Sequence, residues 1–94
     1  MKTYTFFSDP GHGWLRVPIT ELVKYDVADK ITAYSYVSPS KKWVYLEEDL
    51  DASTFLVALA EAHNVEVREL KSFIKEKNCP HNPSRIRTYD NYRK

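Results

Sequence analysis

Ile31-Thr32-Ala33-Tyr34-Ser35-Tyr36-Val37, the turn Ser38-Pro39-Ser40 and the return Lys42-Trp43-Val44-Tyr45-Leu46 decide the fold. Small and aliphatic side chains at 31, 33, 35 and 37 alternate with Thr32, Tyr34 and Tyr36. Val44 and Leu46 alternate with Trp43 and Tyr45 in the same way. A period of two is the mark of a strand with one face buried, so the spacing predicts an antiparallel hairpin over residues 31–46. Strand alternation then segregates Tyr34, Tyr36, Trp43 and Tyr45 onto the face opposite Ile31, Ala33, Val37, Val44 and Leu46.

Working outward, residues 3–8 and 14–17 are rich in β-branched and aromatic residues on either side of Asp9-Pro10-Gly11-His12-Gly13. This predicts a first hairpin, with both glycines supplying conformations that side chains resist. Pro18 closes the strand and pre-sets a helix start, and Ile19, Leu22 and Val23 give a short helix over residues 19–25. A longer helix is expected over residues 52–63, with Phe55, Leu56, Leu59 and Ala62 as its apolar stripe. The acidic run Glu47-Glu48-Asp49-Leu50-Asp51 should supply its N-terminal caps and Asn64 its left-handed stop. Residues 65–70 read as a strand followed by a helical turn. The expected class is α+β: a small antiparallel sheet built from two β-hairpins, two helices packed on one face, and a basic C-terminal tail.

The chain has 94 residues, enough for one core. Residues 1–77 read as the domain and residues 78–94 as the tail. A hydrophobic fraction of 43% with 29% charged residues is ordinary for a globular domain. A single cysteine, no long apolar run and no signal sequence lead to the expectation of a soluble, cytoplasmic chain without a membrane segment. The net charge of +1 conceals an asymmetry: acids dominate up to Glu66, and bases dominate after it. A basic arm on an acidic body suits a phosphate, an acidic partner, or the chain's own carboxylates.

No catalytic or cofactor signature emerges. His12 and Asp9 sit at a hairpin tip, where a turn explains the residues and no pocket is expected; a small hydrolase or nuclease using His12 is the enzymatic alternative. His12, His63 and His81 lack metal-ligand spacing, Cys79-Pro80-His81 lacks an orienting group, and a nucleophile elbow or phosphate-binding glycine loop is absent. The aromatic content of 14% is more informative. Tyr34, Tyr36, Trp43 and Tyr45 form either covered core, a protein interface including a homodimer, or a stacking platform for nucleobases. In the tail, Arg85, Arg87 and Arg93 interleave with Tyr89 and Tyr92, a composition suited to phosphates and bases or to the acidic body itself.

Four segments, Ser8-Asp9-Pro10-Gly11-His12-Gly13-Trp14-Leu15-Arg16-Val17, Asp29-Lys30-Ile31-Thr32-Ala33-Tyr34-Ser35-Tyr36, Tyr45-Leu46-Glu47-Glu48-Asp49-Leu50-Asp51 and Pro83-Ser84-Arg85-Ile86-Arg87-Thr88-Tyr89, resemble a group of small conserved proteins of bacteriophages and mobile elements. Relative to that pattern, residues 68–78 look like an extension. The resemblance implies a non-enzymatic accessory protein that binds and inhibits a host factor, such as a defence complex or its nucleotide signal. A module for single-stranded nucleic acid is the alternative, and neither reading requires a cofactor.

Overall fold

The computed structural model describes residues 2–79 and 85–93. His81, Pro83, Ser84 and Lys94 lie outside them. Strands β1 (Tyr4–Ser8) and β2 (Gly13–Pro18) form the first hairpin, and β3 (Tyr36–Val37) and β4 (Trp43–Glu47) the second. They join through the antiparallel β2–β4 pair. Two further strands, β5 (Ile74–Asn78) and β6 (Asp90–Asn91), complete a six-stranded sheet in the order β5-β1-β2-β4-β3-β6.

The class is α+β as expected, but the sheet is mixed, because β5 runs parallel to β1. Of the strand and helical turn expected over residues 65–70, the strand is not there and the turn is. Those residues lead into a 3-10 helix (Val67–Phe73), closed at its start by the reciprocal Glu66/Glu69 capping box, and the strand follows it. Leu70 is the buried anchor of that turn.

Helices α1 (Ile19–Lys24) and α2 (Asp51–Ala62) cover one face of the sheet. Leu22, Val27, Phe55 and Leu59 pack there against Tyr4, Leu15, Val17, Val44 and Leu46. Each fully buried side chain of this kind contributes about 1.5–3 kcal/mol. The α2 stripe holds at Phe55 and Leu59, whereas Ala62 is exposed and Ala52 and Ala60 are buried instead. Both helices stop alike. Asp26 and Asn64 take left-handed backbone (φ 59° and 55°), and the next amides, of Val27 and Val65, bond back to Leu22 and Ala60.

The strand predicted over residues 31–37 survives only as Tyr36–Val37. Asp51 explains the difference. Its carboxylate is fully buried and accepts from the Thr32 amide (3.1 and 3.0 Å), the Thr32 hydroxyl (2.7 Å) and the Ser35 hydroxyl (2.5 Å). A backbone amide held by a carboxylate is not available to a ladder, so residues 31–35 fold around the start of α2 as an irregular turn. Ala33, expected to face inward, is exposed. The acidic run therefore acts differently from the expected cap. Leu50 occupies the N-cap without a side-chain bond, while Glu47 accepts the Asp49 and Leu50 amides.

Neither glycine has positive φ, contrary to the conformational role expected of them. Gly13 is required by proximity: a Cβ there would lie 2.3 Å from Cζ of Phe6.

Candidate functional site

Strand register sets the second face of the sheet. Phe7, Trp14, Trp43, Tyr45 and Tyr36 lie on the side away from the helices, forming a small second core. Three of the four rings predicted to share a face do so. The fourth, Tyr34, sits in the irregular turn and is 71% exposed.

That face is partly covered by the chain itself. Residues Arg85–Thr88 form a 3-10 turn across it, with Ile86 buried against the second core and the Tyr89 ring tilted against Tyr45 at 5.5 Å. Tyr45 is buried, and this burial raises its pKa, with Tyr89 adding to the rise and Arg16 opposing it. Tyr36 and Trp43 remain half-buried. Trp43 carries the guanidinium of Arg16 over its ring at 4.7 Å.

The predicted tail residues divide between two jobs. Arg87 binds Asp9 through Nε and Nη2, both at 2.8 Å, and lies 5.7 Å over the ring of Trp14. Arg85 is exposed. Tyr92 and Arg93 leave the ring face altogether, contrary to the joint surface expected for them. The Tyr92 hydroxyl donates to the Ala28 carbonyl at 2.6 Å, and Arg93 donates to the Ile31 and Asp29 carbonyls, so this pair clasps the loop below β3. Between them β6 pairs with β3, and the Tyr92 amide donates to Ser35.

Laying residues 85–89 over the first hairpin builds what a hairpin tip alone lacks. A cleft of about 470 Å³ opens between His12 and Trp14, Tyr34 and Tyr36, Glu47, Asp49 and Leu50, and Arg87. His12 lies 6.0 Å from Trp14, and Trp14 meets Tyr36 edge-on at 6.3 Å. Gly11 lies directly beneath Arg87, where a Cβ would come 2.7 Å from Nη2. Asp9 accepts from Arg87 and from the Gly11 and His12 amides, so its carboxylate builds the turn. The Asp9–Arg87 pair is internally neutral, leaving Glu47 and Asp49 to make the cleft acidic.

A second cleft, of about 420 Å³, adjoins the first along Asp49 and Leu50 and runs over α2 past Val57 to Glu61. The shared ridge is apolar at its crest, where Leu50 is 50% exposed, and Val57, 42% exposed, lies further along the second cleft. Sequence reasoning singled out His12 only for the enzymatic alternative, and Trp14, Asp49, Leu50 and Val57 not at all as site residues. Their grouping depends on the tail's path and the turn around Asp51, neither of which has a local sequence signal.

Among the described residues no group of three His, Cys, Asp or Glu side chains converges to hold a metal ion, and no helix is long and apolar enough to cross a membrane. Comparison with known proteins finds no matching family model, no matching curated protein and no matching solved structure.

Proposed function

We propose that the chain is a non-enzymatic accessory protein of the bacteriophage type that acts in the bacterial cytoplasm by binding and disabling a host protein complex. The contact surface in this reading is the pair of clefts meeting on the Asp49–Leu50 ridge. One observation carries it. Three large apolar side chains that face solvent, Tyr34, Leu50 and Val57, stand together on two adjoining concavities, where Glu47, Asp49 and Glu61 outnumber Lys30 around them.

Apolar anchors beside concave pockets and ringed by charge are the usual anatomy of a protein-binding hot spot. The acidic rim selects a partner whose matching face is basic. The phage setting rests on the sequence resemblance, and the binding mode rests on the surface. Catalysis is the weaker reading because Asp9, the acid that would assist His12, holds Arg87 and two backbone amides.

Photocrosslinking in bacterial lysate tests the surface. A benzophenone amino acid at position 34 or 57 should give one discrete heterologous adduct, and the same probe at Thr20, exposed on α1, should give none. An adduct of twice the chain's mass would instead identify a homodimer. Equal labelling from all three positions would contradict the assignment.

A further inference from the structure

We infer that the part of the second sheet face left open by residues 85–89 binds a single-stranded nucleic acid. The site is separate from the clefts of the proposed protein interface and uses residues on strands β1, β2, β4 and β5.

Register brings its members together. Thr5 lies between Lys75 and Arg16 in one cross-strand row, and Phe7 pairs with Lys77 in a neighbouring row. Ile74, one residue away, packs into the helix-side core, so alternation turns Lys75 and Lys77 to the opposite face, with Phe7 and Arg16. Adjacent strands are about 4.8 Å apart, which sets these three cations along a band roughly 10 Å wide.

Among the described residues the charges on this band have no carboxylate partner: Arg16, Lys75 and Lys77 make no salt bridge, while the four ion pairs present use other cations. Lysines on β5 also protect an exposed sheet edge from pairing. Arg16 has no such task, because β2 lies inside the sheet. Its guanidinium is held between Phe7 at 5.2 Å and Trp43 at 4.7 Å, which fixes its plane; the Tyr45 hydroxyl takes up part of its N–H edge, and the remainder can meet an anion.

A groove of about 150 Å³ opens beside this stack, lined by Lys2, Thr3, Thr5 and Arg16 with the ring of Trp43 at its end. The Lys2 ammonium is held by Glu21 at 2.7 Å, so the donors facing this hollow are the threonine hydroxyls and the Arg16 guanidinium, which suit a phosphate, and a half-buried indole next to them suits a base. A duplex would need its bases stacked inward, so a ring platform at the phosphate track favours a single strand.

Fluorescence anisotropy with a short labelled oligodeoxythymidine tests the inference on the full chain. Binding should weaken with salt, the logarithmic slope being about −2 for three phosphate contacts. K75E/K77E, at exposed positions, should weaken it about 30-fold or more and flatten the slope, since two of the three contacts are reversed. Trp43→Ala should cost about tenfold with the slope unchanged. Arg16→Lys, which keeps the charge but loses the stacked plane, should weaken binding without unfolding the sheet. Leu50→Ser should leave oligonucleotide binding intact, which separates this site from the protein interface. No binding at low salt, or full affinity in K75E/K77E, would overturn the inference. Equal binding of heparin together with an unaffected Trp43→Ala variant would overturn it too, by reducing the surface to a simple ion exchanger.

Discussion

Arg87 grips both carboxylate oxygens of Asp9 at 2.8 Å, joining residues 78 positions apart in the chain. The Asp9 side chain is fully buried beneath the pair. This fork is a principal tie between the C-terminal segment and the first hairpin, and it forms one wall of the acidic cleft. Arg87→Ala should loosen residues 85–89 and leave a buried carboxylate without its cation. Limited trypsin digestion should then cut faster after Arg85 while the sheet and helices persist. An unchanged cleavage rate would show that Ile86 and Tyr89 hold the segment without the ion pair.

Asp51 takes the place a core aliphatic would fill and serves as the hub of the turn over residues 31–35. Asp51→Ala removes the acceptor for the Thr32 amide and two hydroxyls in a site closed to water. Buried donors left without partners make a loss of about 3 kcal/mol the expectation in urea denaturation. Asp51→Asn should lose less, because one acceptor oxygen remains. A loss below about 0.5 kcal/mol would mean that solvent reaches the turn.

At Gly13 the missing side chain makes room for Phe6. Gly13→Ala drives a methyl group into that ring, and overpacking of this kind typically costs about 1–3 kcal/mol. Gly13→Ala combined with Phe6→Leu should recover part of the loss. Failure of the pair to recover any would place the cost in the backbone instead of in the ring contact.

Burial is the leading cause that raises the pKa of three of the seven tyrosines above the ordinary 10.0: Tyr4, Tyr45 and Tyr92. Tyr4 also donates to buried Glu21 at 2.5 Å, which favours its protonated form further. The native fold keeps these hydroxyls protonated at pH values where the unfolded chain releases them. Their contribution to stability is therefore complete below about pH 10 and declines as pH rises beyond it. Ultraviolet titration should show these tyrosinates appearing late, together with alkaline unfolding. Seven tyrosines ionising as one ordinary group would contradict the burial.

How much of this was legible follows from which residues signal locally. Trp43, Val44, Tyr45 and Leu46 alternate cleanly and form the central strand they announce. Ile31 to Ser35 alternate just as cleanly but are recruited by Asp51 across 16 to 19 positions, a tertiary contact that overrides strand propensity. Ile74-Lys75-Glu76-Lys77-Asn78 becomes an edge strand without an apolar alternation to betray it, because one neighbour and a charged face are enough at an edge. The rings of Tyr36, Trp43 and Tyr45 were placed correctly on one face, whereas Tyr34 was not. That Tyr89 covers Tyr45 while Tyr92 and Arg93 turn away to the loop at residues 28–31 cannot be read from composition, since both halves of the tail carry the same residue types.

The central claim is that the Asp49–Leu50 ridge is the protein-binding surface, and Leu50→Ser tests it most directly. Leu50 is the uncapped N-cap of α2, so serine there should hold or raise thermal stability while removing the apolar crest. With the crosslinked partner purified, titration calorimetry should show the affinity of Leu50→Ser reduced about tenfold or more, with the fold intact. An affinity within twofold of the unmodified chain would contradict the account.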